Sequence, residues 1–292
     1  MGLSADTDAV VGAHRAAMRR FTAAGVASGV LEAGAPEAPA VLCLHGVPTS
    51  AYLYRKVVAE LAERGLRGVA FDLPGLGVAE RPADFDYTWT GLGGFAAAAV
   101  DALGLDRFHL VVHDIGGPVG FELTARMPER VQSLTLLNTL VAAGSFRRPW
   151  VMEPLAHRGI GPLWLASMRP RLFLVLMRRL GIEDQAQVGD AELLAYLRLL
   201  RAGDGGRAFL RIMRGFERTA EKETLYRSVV GDSRRPRQVL WGATDPTLRV
   251  RPLGELAADI AGVPLRTVPG RHFLQEDNAP AIADAVAALA SG

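Results

Sequence analysis

The sequence predicts an α/β protein: a mostly parallel sheet, helices on both faces, and a helical block inserted late in the sheet. Three observations lead there. Short apolar runs alternate with segments of helical periodicity between Ala40 and Leu137. The runs are mostly apolar, as expected of strands buried on both faces in a parallel sheet. Then roughly ninety residues, Ala143 to Val230, carry Arg, Leu and Met at helical spacing with no strand pattern, more chain than two crossover helices with loops require.

Taken in order, Arg20 to Val30 reads as one or two strands. Ala40–Leu44 is a short buried strand that runs into His45-Gly46. Tyr52 to Arg64 has helical spacing. Leu66 to Phe71 is a second buried strand, stopped by Asp72-Leu73-Pro74-Gly75, and Thr90 to Leu103 is a helix. Phe108 to Val112 is a third strand, with a helix over Gly116 to Met127 behind it, and Ser133 to Leu137 is a fourth. After the helical block, strands resume at Arg237–Trp241 and Leu265–Val268. The expected division is a core over 1–142, a helical cap over 143–232 and the rest of the core over 233–292.

Bulk properties narrow the function classes. The chain has 292 residues, 49% hydrophobic and 22% charged, ordinary for a globular protein able to bury a full core. A formal net charge of +2, with basic and acidic residues interspersed, gives no reason to expect nucleic acid as a partner. The lone cysteine, Cys43, lies inside an apolar run and is expected to pack as a small core residue. Leu172 to Met177 is apolar but too short to span a bilayer, so no membrane partner is expected. The N-terminal residues lack a basic segment followed by an apolar one, so a cytoplasmic location is the expectation.

The chemistry centres on Val111-Val112-His113-Asp114-Ile115-Gly116-Gly117. An apolar strand meets a polar residue, then glycines, then a helix, which is the setting of a nucleophile elbow. Taken alone, Asp114 could equally be the N-cap of that helix. Attack by a carboxylate on an ester would yield a reactive anhydride. Attack on a saturated carbon yields an ordinary ester that water can cleave, so an Asp in this place suits displacement at sp³ carbon. The second step needs a base, and His272 follows the last strand in Gly270-Arg271-His272-Phe273. The base needs an orienting acid, and Asp245 follows the preceding strand in Trp241-Gly242-Ala243-Thr244-Asp245-Pro246. Backbone amides of Val47, in the loop after Ala40–Leu44, and of Ile115, next to Asp114, are the expected oxyanion hole.

These segments resemble the haloalkane dehalogenases and their epoxide hydrolase relatives of the α/β-hydrolase fold. The resemblance is carried by HGVPTSAYLYRK (45–56), FDLPGLGVAERP (71–82), FHLVVHDIGGPVG (108–120), LWGATDP (240–246) and HFLQEDNAP (272–280). It covers both halves of the core, and the helical block matches only in length and character. It implies a hydrolase acting on a small or medium apolar organic substrate, with water as co-substrate and no metal or organic cofactor. Asn138 fits the dehalogenases whose acid follows the later strand, here Asp245. Two positions depart from the pattern. Ile115 stands where these dehalogenases carry a tryptophan that holds the departing halide, and Val47 stands where a loop asparagine can supply a second donor. Trp164, or less suitably Trp150, is the candidate replacement donor. Tyr196 and Tyr226 are the candidates for the tyrosines with which epoxide hydrolases protonate an epoxide oxygen. Each of these four could instead simply pack.

Overall fold

In the computed structural model, which describes residues 2–291, the α/β-hydrolase fold is built on one eight-stranded sheet. Its strands are β1 (Arg19–Ala23), β2 (Val26–Ala33), β3 (Ala40–Leu44), β4 (Arg67–Phe71), β5 (Phe108–Asp114), β6 (Val131–Thr139), β7 (Arg237–Gly242) and β8 (Leu265–Val268). Their order in space is β1-β2-β4-β3-β5-β6-β7-β8. β1 and β2 form an antiparallel hairpin, β2 pairs antiparallel with β4, and every later pairing is parallel. The segment Arg20 to Val30 is therefore two strands. Their two-residue turn is Ala24-Gly25, both at positive φ (47° and 74°), the twist that suits a tight hairpin.

Helices pack on both faces of the sheet. Val41, Leu42, Cys43 and Leu44 are inaccessible to solvent, and the central strands read as mostly apolar runs for that reason. Between β6 and β7 the described residues form helices and loops only, among them Gly161–Ser167, Pro170–Leu176, Asp190–Arg201, Arg207–Arg214 and Ala220–Val230. Several helices lie outside the sequence reading, among them one at each end of the described residues. Leu3–Ala17 docks on Asp190–Arg201, where Arg198 pairs with Asp8 at 2.8 Å. Ala279–Ala290 packs against the helix Arg55–Glu63, with Ile282 and Ala283 fully buried. Among the described residues, no helix is long and apolar enough to cross a membrane.

The parallel arrangement sets the place of the chemistry. β5, β6, β7 and β8 are neighbours and point the same way, so the segments leaving their C-terminal ends converge at one edge. Those segments carry Asp114, Asn138, Asp245 and His272.

Candidate active site

Asp114 is the last residue of β5 and sits at φ +53°, a left-handed conformation unusual for a non-glycine residue. Pairing with β6 slips between His113 and Asp114, so the strand turns sharply there. The turn is possible because its neighbours lack side chains. A Cβ on Gly116 would lie 2.2 Å from the Leu44 carbonyl oxygen, and one on Gly46 would lie 2.3 Å from Asp114 Cβ. The helix Gly116–Arg126 starts immediately behind the turn. The Asp114 side chain does not cap that helix: its Oδ1 accepts the Val47 N–H at 2.8 Å, across the groove.

His272 faces Asp114 from the loop after β8. Its Nε2 lies 3.7 Å from Asp114 Oδ2, and its Nδ1 lies 2.9 Å from Asp245 Oδ2. With Asp245 as acceptor, Nδ1 carries the proton and Nε2 is left with its lone pair toward Asp114. Asp245 is itself held on all sides. Its Oδ1 accepts from the Thr247 amide and hydroxyl at 2.7 Å and from the Leu248 amide at 3.0 Å. Its Oδ2 also accepts from Asn138 Nδ2 at 2.7 Å.

The electrostatics follow from burial set against these contacts. Burial works against the charged form of His272, yet the charge and hydrogen bond of Asp245, with the charge of Asp114, hold its pKa above the ordinary histidine value. Burial raises Asp245, and His272 and the Thr247 donors more than reverse it, so that carboxyl lies below its usual range. Asp114 is raised, burial being the largest cause, while His272 and the amides of Val47 and Ile115 pull the other way. Of the two amides expected as an oxyanion hole, that of Val47 donates to Asp114 Oδ1.

Several supporting residues hold this set in place, of which Asn138 was marked by the sequence. Asn138 (φ +29°) accepts the Gly242 N–H at 2.8 Å and donates to both Asp245 and the Arg271 carbonyl, tying the ends of β6 and β7 to the loop of the base. His113 is fully buried, and its Nε2–H donates to the His272 carbonyl oxygen at 2.8 Å, so it braces the base as well as the elbow. Burial keeps it neutral, well below the ordinary histidine pKa. The His272 loop is also bonded to the helical block: the Phe273 N–H donates to the Gly181 carbonyl at 2.9 Å and the His272 N–H reaches the Leu180 carbonyl at 3.4 Å. One turn on, buried Glu276 accepts from Arg55 at 2.6 and 2.9 Å and from the Tyr196 hydroxyl.

Asp114 and His272 open onto a cavity of about 120 Å³ between the sheet edge and the helical block. Its walls are overwhelmingly apolar, with Phe146, Met152, Leu155, Phe209, Met213 and Phe216 among them. Val47 lines it as well, with no side-chain donor.

The four candidates for substrate or leaving-group contact fare differently. Trp164 lines the cavity, but its indole N–H already donates to the Val151 carbonyl at 3.0 Å. Trp150 is 71% exposed and borders a separate surface pocket, so it is no donor to this cavity. Tyr196 and Tyr226 are corrected too: neither lines the cavity, and both hydroxyls are engaged by buried carboxylates, Glu276 and Glu122. Those carboxylates lie 80 and 104 residues away in sequence, which is why the pairing was invisible there.

Comparison with known proteins bears on the family and the fold. The family described as alpha/beta hydrolase fold matches residues 39–176. The chain is 27% identical over 264 residues to haloalkane dehalogenase 2 of Mycobacterium tuberculosis, covering 85% of this chain and 86% of that one. It is 25% identical over 265 residues to an uncharacterised hydrolase of Saccharomyces cerevisiae, covering 88% and 91%. Among solved structures, haloalkane dehalogenase DbeA from Bradyrhizobium elkani superposes with a TM-score of 0.76 at 21% identity, covering 94% of this chain and 98% of that one. A 2-hydroxy-6-oxo-6-phenylhexa-2,4-dienoate hydrolase from a Rhodococcus strain superposes at 0.78, also at 21% identity, with the same coverage. The two superpositions speak for the fold alone.

Proposed function

Because the chain is a haloalkane dehalogenase-like α/β hydrolase, we propose that it displaces a leaving group from a saturated carbon through a covalent ester on Asp114. One observation carries this reading: a carboxylate occupies the left-handed turn at the end of β5, one oxygen on the Val47 amide and the other facing His272 Nε2 at 3.7 Å. A free oxygen of Asp114 attacks carbon, the carbon–leaving group bond breaks, and the leaving group departs with the bonding pair. His272 then takes a proton from water as that oxygen attacks the Asp114 carboxyl carbon. The resulting oxyanion is stabilised by the Val47 and Ile115 amides. Collapse expels the alcohol oxygen, which takes the proton from His272, and Asp114 loses its remaining proton to solvent. The helical block over 143–232 acts as the cap that excludes water from the cavity until the ester has formed. The substrate is a small organic molecule with an apolar body, and no cofactor takes part. Adduct formation on Asp114, argued in the Discussion, is the deciding test.

The epoxide hydrolase alternative needs an acid over the cavity. Among the described residues no tyrosine lines it, so nothing in the geometry favours that reading.

The acid is expected to act through the base. Asp245→Asn keeps the size of the side chain and removes its charge, so turnover falls on the order of 10³–10⁴-fold while alkylation of Asp114 persists. The working form of His272 is neutral, so activity is lost as pH falls through its raised pKa. Removing the Asp245 charge lowers that pKa, so the acid limb of the pH–rate profile moves to lower pH in the variant. Stopped-flow kinetics across a pH series measure both. Wild-type rates with an unmoved limb would place the acid elsewhere.

The leaving group makes a second prediction. A chloride released beside Asp114 meets the apolar side chain of Val47, and an anion without a donor at that end of the cavity is costly. The protein should therefore release chloride slowly from a simple chloroalkane. Val47→Asn is expected to raise that release by about tenfold, the worth of one hydrogen bond to a charge. Trp164→Phe is expected to change it little, because the indole N–H is used by Val151. Fast chloride release that Trp164→Phe abolishes would show instead that the indole turns toward the halide.

A further inference from the structure

The cavity wall contains a buried cation with unused hydrogen-bonding capacity. Arg148 lines the cavity with Asp114 and His272, and its side chain is only 6% exposed. Its guanidinium stacks over Phe216, 4.7 Å from the ring centre, and Phe216 lines the same cavity. Of five guanidinium N–H groups, one reaches the Met213 carbonyl at 2.8 Å. Glu153, 43% exposed, lies 3.5 Å from Nη1. The buried Nε has no partner. Leaving a buried charged donor unmet is expensive unless a ligand meets it. Burial and the neighbouring Arg218 both work against the charge on Arg148, so a bound anion would relieve both.

Arg148 also borders the adjoining surface pocket, where Arg147, Arg218 and the exposed Trp150 surround Glu153. Three guanidiniums there face one carboxylate. The same residue is thus shared by a cationic outer pocket and the apolar cavity that holds Asp114, an arrangement that draws anions inward.

We propose that Arg148 receives a carboxylate on the substrate. The substrate class is then an alkanoate: an alkyl chain fills the apolar cavity, the carbon bearing the leaving group lies at Asp114, and the carboxylate sits on the Arg148 guanidinium. A planar two-oxygen anion matches the guanidinium fork better than a halide does. Like charge keeps the carboxylate away from Asp114, so it occupies the far end. The proposal rests on the nucleophile assigned above for the direction of the chain, but the binding itself needs no chemistry.

The test therefore starts with unreactive probes. Hexanoate and 1-hexanol are titrated calorimetrically into the wild type, Arg148→Met and Arg148→Lys. Hexanoate should bind the wild type at least about tenfold more tightly than hexanol, the worth of a charge-assisted hydrogen bond. Arg148→Met should erase the difference and Arg148→Lys restore part of it. Glu153→Gln, at the surface, removes the competing carboxylate and should tighten hexanoate by about two- to fivefold. In turnover, 6-bromohexanoate should exceed 1-bromohexane in kcat/KM for the wild type, and the ratio should invert in Arg148→Met through KM. If Arg148→Met does not fold, the wild-type comparison and Glu153→Gln decide the matter. Equal binding of hexanoate and hexanol to the wild type, or weaker hexanoate binding in Glu153→Gln, would overturn the proposal. Failure of the nucleophile assignment reads out separately, as tight hexanoate binding by the wild type while His272→Gln gains no adduct on Asp114 from 6-bromohexanoate.

Discussion

Replacing His272 by glutamine should leave a stable alkyl ester on Asp114. Displacement at carbon needs only the carboxylate and a substrate in line, and Asp114 keeps its Val47 amide whatever stands at position 272. Hydrolysis of the ester needs a base for water, and the base assigned here faces Asp114 from 3.7 Å. Glutamine cannot take that proton, so overall turnover should fall on the order of 10⁴-fold while the first step proceeds once per molecule. Intact-mass spectrometry after exposure to 1-bromohexane should show the protein heavier by one hexyl group, and peptide mapping should place that group on Asp114. The wild type, treated alike, should show no lasting adduct. A hexyl group on any other residue, or undiminished turnover, would remove Asp114 and His272 from their roles.

The second large effect separates activity from stability. Asp114→Asn should abolish turnover, by on the order of 10⁶-fold where the only nucleophile is lost. The same change should make the protein more stable. Asp114 combines a left-handed backbone with a carboxylate whose burial raises its pKa above the usual range, and each disfavours the folded state. Asparagine tolerates that backbone better, still accepts the Val47 N–H and carries no charge to bury. Each kcal/mol recovered should raise Tm by about 2–4 °C. The comparison belongs well above the His272 titration, where that ring is neutral and loses no ion pair on substitution. A variant that is inactive but less stable than the wild type would mean that the carboxylate has a structural partner on which the fold depends.

The sheet was legible in the sequence because its central strands are buried on both faces and read as mostly apolar runs, Ala40–Leu44 entirely so. The sites on the ends of β5, β7 and β8 were legible because turn residues mark them: Gly116-Gly117, Thr244-Asp245-Pro246 and Gly270-Arg271. Helix Leu3–Ala17 was not, since its burial comes from docking on a helix almost two hundred residues later. The same limit applies to the cavity. Whether Tyr196 and Tyr226 face a substrate depends on where Glu276 and Glu122 lie, and no local pattern carries that information. Arg148 carries no signal for a related reason: in sequence it is one arginine among many, and only its place in the cavity wall sets it apart.

The bonds between the His272 loop and the helical block bear on how substrate enters and product leaves. The peptide groups of His272 and Phe273 hang on the carbonyls of Leu180 and Gly181, and the Glu276–Arg55–Tyr196 cluster rivets the following turn to helix Asp190–Arg201. If the block swung away at that edge, it would drag the imidazole out of line with both of its carboxylates. Traffic compatible with a working base must therefore leave this edge in place. The His272 edge is thereby a fixed seam between the sheet and the helical block.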